Sequence, residues 1–242
     1  MGWANAGVGQ TQRKPTTEPA PQKWILNGYD NGVKGIGVAT YSSFNPKKAW
    51  KQATENAVND LNANHSMIVY SYGKQVGRGP LRIESNYAIR SFVDTTEVTV
   101  VDSTQWKGRA FVLVKAHNPV PDSTIYPKAD FRTIEQPTID SSRVTQSNGK
   151  WLHSTGRTPR IDSNWHMSIT KAKQDALRRL AEHLATEVST KTYTKGATSR
   201  RYYSFSSMFA FQRIRVIKRT FAPDTVTVEV AVNPDEVKML ME

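Results

Sequence analysis

A stripe of small apolar residues, Ala53, Ala57 and Leu61, returns 119 residues later as Ala172, Ala176 and Leu180. Spacing of four puts each stripe on one side of a helix, and side chains as small as alanine let that helix lie close to whatever it covers. A second match follows in the same order. Phe111–Pro119 (FVLVKAHNP) aligns with Val226–Pro234 (VTVEVAVNP), sharing Ala, Asn and Pro at an offset of 115. Two offsets so close, in the same order, predict an internal duplication, so the chain is expected to build one small architecture twice. Aromatic residues make up 10% of the chain, more than sequences that stay unfolded carry, so packed cores are expected.

The elements around the stripes can be read in turn. Gly35–Tyr41 reads as a short strand. Asn45 is a candidate helix N-cap with Pro46 at the first helical position. The helix is expected to run to about Asn62, with Ala49, Trp50 and Val58 beside the stripe. Strands follow at Met67–Tyr72, Glu97–Val101 and Ala110–Ala116, the last two joined by a hairpin turn at Lys107-Gly108. In the second block Ser163 or Asn164 caps a longer helix to about Ser189. A strand-prone stretch at 190–194 precedes Phe211–Ile217 and Thr225–Val232, which are joined through Ala222-Pro223-Asp224. The expected fold class is α+β: two tandem strand–helix–strands modules, each a small, mainly antiparallel sheet covered by one helix, with the other sheet face wet or paired with a second copy. Residues 1–23 read as a flexible N-terminal arm, 24–117 as the first module and 150–242 as the second. Between them 118–149, with Pro119, Pro121, Pro127 and Pro137, reads as a linker or crossing loop.

The strand carrying Gly35-Ile36-Gly37, the Ala49/Ala53/Ala57 helix and the valine-rich hairpin (Val98, Val100, Val101, Asp102, Trp106, Gly108, Phe111, Val112) together resemble the small outer-membrane lipoprotein family that includes the flagellar basal-disk protein FlgP, with relatives among T-ring proteins of FlgT type. The resemblance covers roughly residues 33–117 and, more weakly, 150–234. It implies export to the periplasm or outer membrane, assembly into rings, disks or sheaths, and no catalytic residues. The lipid-bearing cysteine of that family has no counterpart, because the chain contains no cysteine. Residues 1–23 lack the apolar core of a signal peptide, so export would require a signal removed ahead of Met1.

No sequence pattern announces an enzyme. Gly35-x-Gly37 lacks the third glycine of a dinucleotide loop, and Val38–Tyr41 continue as strand, so close backbone packing is the expected role. Gly73–Gly79, with Lys74 and Arg78, reads as an inter-strand loop, with an anion cradle as the alternative. His65, His117, His153, His166 and His183 show no metal-ligand spacing, and Glu182-His183 is expected on a wet helix shoulder. No cofactor is expected.

What rises above background is charge. Lys and Arg exceed Asp and Glu by 33 to 21, a net of +12, and residues 143–242 hold 17 of the bases against 9 acids. Lys191, Lys195, Arg200 and Arg201 interleave with Tyr202 and Tyr203, and Arg213, Arg215 and Arg219 follow at even spacing. Alternation along one strand would set Arg213 and Arg215 on a common face, with Lys171, Arg178 and Arg179 adding charge from the helix. These nine residues from Lys191 to Arg219 are the candidate anion or partner contact. The expected role is a non-enzymatic structural subunit of a cell-envelope assembly, partnered by further copies and by other envelope or flagellar proteins. The alternative is a polyanion-binding module for nucleic acid, anionic lipid or peptidoglycan.

Overall fold

The computed structural model describes residues 20–28, 34–76, 82–89, 93–118, 134–135, 144–147, 151–193 and 202–241. In chain order it contains α1 (Lys23–Leu26), β1 (Lys34–Thr40), α2 (Pro46–His65), β2 (Ser66–Val76), β3 (Arg82–Ile89), β4 (Val98–Trp106), β5 (Arg109–Ala116), β6 (Ile134–Glu135), β7 (Val144–Ser147), β8 (Trp151–Pro159), α3 (Trp165–Tyr193), β9 (Tyr202–Gln212), β10 (Arg215–Phe221), β11 (Thr225–Val232) and, after a 3₁₀ turn, β12 (Val237–Met241). The class is α+β, with antiparallel sheets and helices packed on them.

The same unit occurs twice. In the first, β1 pairs with β5 and β5 with β4, under α2. In the second, β8 pairs with β11 and β11 with β10, under α3. The offset of 119 extends beyond the stripes. Asn45 Oδ1 accepts the Lys48 N–H at 3.1 Å and Asn164 Oδ1 accepts the Met167 N–H at 3.0 Å, so both helices are capped alike. Gly37 and Gly156 lie under the two helices, where a Cβ would come within 1.8 Å of Ala53 O and 1.9 Å of Ala172 O. Each helix therefore rests on bare strand backbone, which is the packing role expected for Gly37.

The hairpin overlay needs correcting by one residue. Gly37 sits opposite Val112 and Gly156 opposite Val228, which makes the structural offset 116 rather than 115. A slip of one residue reverses the faces of a strand. The shared Ala, Asn and Pro thus align sequence but not side-chain direction. In the true register Ala110, Val112 and Val114 correspond to Val226, Val228 and Val230, all buried.

Several expectations fail for local reasons. The Thr-rich stretch at 190–193 continues α3 instead of forming a strand, an established helix overriding β-branched preference. Phe211–Ile217 is two strands, because Arg213 takes a left-handed φ of 48° and passes the chain from one sheet to another. Its N–H and that of Ile214 bond back to His65 O and Asn64 O. Gly73–Val76, read as loop, belong to β2. The span 118–149 contributes β6 and β7. Residues 1–19 lie outside the described residues, but Lys23 opens α1, and Trp24 and Ile25 are buried.

A third sheet joins the units. Its order is β12-β9-β2-β3-β6, with β2 and β9 paired antiparallel from Ser66↔Gln212 to Val76↔Tyr202. The free face of the first sheet is not wet, contrary to expectation. Ile36, Val38, Phe111 and Leu113 enter one core with Trp165, Leu177, Leu180, Val228 and Val230 of the second unit, while a smaller core lies between that sheet and α2.

Candidate functional site

Strand β1 is an outer strand, and its open edge is sealed from above by one face of α2. Asn56 Nδ2 donates to Val38 O at 2.8 Å, Asp60 Oδ2 accepts the Ile36 N–H at 3.0 Å, and Asn64 Nδ2 donates to Lys34 O at 3.2 Å. Positions 56, 60 and 64 share one helix face, so three side chains supply what a neighbouring strand would have supplied. In the second unit β7 pairs with the first half of β8, and Asp175 Oδ2, equivalent to Asn56, accepts the Arg157 N–H at 3.0 Å.

Asp60 is also the centre of a buried charge cluster. Lys173 Nζ lies 2.6 Å from Asp60 Oδ1 and 2.7 Å from Asn64 Oδ1, and Arg219 Nη2 lies 3.8 Å from Asp60 Oδ2. Burial alone would push the Asp60 carboxyl up. The Lys173 ammonium and Arg219 guanidinium, with hydrogen bonds from the Ile36 N–H and Lys173, outweigh it and hold the group at about 2. Burial pulls the Lys173 ammonium down, against Asp60. Along α3, Arg178 bridges Asp175 at 2.7 Å and Glu182, and Arg179 reaches Asp175 at 3.2 Å. Glu182 is buried, not on a wet shoulder; burial pushes its carboxyl above the ordinary value in spite of Arg178.

Sequence reasoning missed Asp60, Lys173 and Asn64. The available signal was a charge inside an otherwise apolar helical stripe. Lys173 directly follows Ala172, and Asp60 directly precedes Leu61.

Of the predicted basic contact, Arg213, Arg215 and Arg219 do not share one face. Arg219 is 3% exposed and turned onto Asp60, so it cannot meet a partner. Arg213 sits at the break between β9 and β10, half exposed and 3.2 Å from Glu236, so it does not share a strand face with Arg215. Arg215 lies over the Trp151 ring at 3.7 Å. Arg178 is buried too. Tyr202 and Tyr203 begin β9, opposite Val76 and Gln75, and Lys191 falls in the last turn of α3. Lys195, Arg200 and Arg201 lie outside the described residues.

An open groove of about 690 Å³ lies where the two helices begin. Thr40 and Ser42 line it, with Asn45, Lys48, Gln52 and Asn56 from the α2 side and Ser163, Asn164, Trp165 and His166 from the α3 side. No lining residue is acidic. Burial pulls the His166 imidazole down, while Asp60 and Lys173 act on it in opposite directions. Beneath the groove an aromatic cluster ties the units together. Trp165 stacks on Phe221 at 5.1 Å and meets Trp106 edge-on at 5.9 Å, with the Arg109 guanidinium 4.9 Å from the Trp165 ring. Among the described residues no three His, Asp or Glu side chains gather as a metal site requires, and no described helix is long and apolar enough to cross a membrane.

No family model matches the chain, and neither curated proteins nor solved structures give a match.

Proposed function

We propose that the protein is a non-enzymatic structural subunit of a bacterial cell-envelope assembly, associated with flagella, that oligomerises through its sheet edges. The observation that carries this is a contrast among outer strands. The edge of β1 is sealed by α2, whereas β4 and β12 end their sheets with apolar side chains in the open. Val100 and Val101 on β4 are 48% and 49% exposed, and Met239 on β12 is 38% exposed. An outer strand with bare apolar residues is a template for strand addition. The bulge between Val100 and Asp102 limits how long an added strand can be, which favours a short, specific contact over open-ended stacking. The envelope and flagellar setting rests on the resemblance of the glycine strand, the alanine helix and the valine-rich hairpin.

The test is light scattering of the full chain during size-exclusion chromatography, alongside Val100→Lys/Val101→Lys and Met239→Lys variants. The expected result is a discrete oligomer that one or both charged edges dissociate while circular dichroism stays unchanged. A strict monomer at high concentration overturns the proposal.

A further inference from the structure

The end of the molecule around the groove carries features that neither the fold nor the edge contacts use. Phe44 is 99% exposed. It stands one residue before the N-cap Asn45, where an apolar side chain ordinarily folds back on the fourth helical residue. Here that residue is Ala49, which is buried, and Phe44 makes no such staple. Across the groove, Met167 in the first turn of α3 is 43% exposed.

The charges beside these residues are placed against local preference. Lys47 and Lys48 occupy the first turn of α2, where the helix end is partially positive and acids are favoured, yet neither α2 nor α3 has an acid in its first turn. Lys51 continues the exposed side of α2, 4.0 Å from Glu55. Lys107 is exposed on the adjoining hairpin turn, its ammonium 5.1 Å from the Trp106 ring centre, and the turn is held beside Tyr41 by the bond from Tyr41 N–H to Gly108 O at 3.0 Å. Local rules broken together in one place mark a site where something outside the fold supplies the compensation.

We infer that this end docks on an anionic lipid surface, Phe44 entering the acyl boundary and Lys47, Lys48, Lys51 and Lys107 meeting the headgroups. A protein partner is normally anchored by clustered apolar residues fitting pockets. Phe44 and Met167 are instead exposed singly, each next in the chain to a residue that lines a polar groove (Asn45 and His166), which suits a partner that is apolar everywhere beneath a charged layer. The inference stands apart from the assembly proposal, because its variants leave β4 and β12 untouched.

The experiment is co-sedimentation of the full chain with vesicles of phosphatidylcholine mixed with phosphatidylglycerol, and with phosphatidylcholine alone. Binding is expected only to the anionic vesicles and is expected to fall with added salt. Phe44→Ser should lower partitioning several-fold and Lys47→Glu/Lys48→Glu by about tenfold or more. Both should retain the wild-type circular dichroism and oligomeric state, since all three residues are exposed. Equal binding to neutral vesicles, no binding, binding that neither variant weakens, or capture of a single-stranded oligonucleotide in preference to vesicles would each overturn the inference.

Discussion

Helices α2 and α3 carry the same alanine stripe, the same asparagine cap and the same glycine beneath them, but they live in different surroundings. The first half of α2 keeps a wet side bearing Lys47, Lys48 and Lys51. Between Trp165 and Glu182, α3 is buried on almost every side, because the first sheet and the joining sheet pack where water would otherwise be. Charges on α3 therefore cannot be left to solvent. Lys173 is neutralised by Asp60 of the other unit, and Arg178 by Asp175 and Glu182 on its own helix. At equivalent positions Asn56 suffices in the first unit, but the second has Asp175, which seals a strand amide and pairs two arginines. A repeat can preserve its packing template while its polar residues diverge according to which copy ends up inside.

The template itself can be broken first. Gly37→Val and Gly156→Val each drive a side chain into helix backbone with no flexible neighbour to yield, so each should cost more than about 4 kcal/mol, a large share of a typical domain's stability. Thermal melts would show it. A mild effect at one position and not the other would mean that the two helices do not rest on their sheets equally closely.

Next in size is the charge that crosses between the units. Lys173→Met leaves Asp60 buried with one distant cation and should cost about 3–5 kcal/mol, while the double variant Lys173→Met/Asp60→Leu should recover part of the loss. The pH dependence separates this from a packing defect. The folded value of Asp60, about 2, lies below its ordinary 3.8, so its contribution is complete above pH 4 and disappears as pH falls toward 2. Glu182 acts oppositely. Its raised value gives stability that is present in acid and lost as pH rises through the folded value. Urea melts down the acid range should show the deficit of the Lys173→Met protein shrinking as pH falls, because a carboxyl left buried without its cation takes up a proton more readily folded than unfolded. An unchanged profile would mean that Lys173 does not hold Asp60 ionised.

The smallest effect distinguishes the two seals. Asn56→Ala removes one hydrogen bond near the surface and should cost about 1 kcal/mol. Asp175→Ala also leaves Arg178 with Glu182 alone and takes the carboxylate from Arg179, and should cost about 3 kcal/mol. Equal costs, measured by urea denaturation, would show that the ion pairs on α3 contribute nothing beyond the strand seal.

The duplicated plan was legible because it is written locally. Stripe, cap and turn residues all lie within a few positions of what they control. Lys107 and Gly108 do form the hairpin turn, with φ of 48° and 66°. The face of the last strand was harder, since Val-rich strands match equally well at 115 and 116 and only the partner strand decides. The joining sheet could not be read at all, because β2 finds its neighbour in β9 and nothing near either strand says so. The orientation of Arg219 was hidden for the same reason. An arginine beside others in sequence looks like a surface, and only the fold shows Arg219 turned inward to a carboxylate from the opposite half.

The β2–β9 ladder has a consequence for how the protein is made. Ser66 must wait for Gln212, so the joining sheet cannot close until β9 has been made; at roughly 5–20 residues per second the wait lasts many seconds. Throughout that interval a long strand with an unpaired side is displayed by an incomplete chain. Efficient maturation should therefore depend on a holdase that shields β2 until synthesis has passed β9.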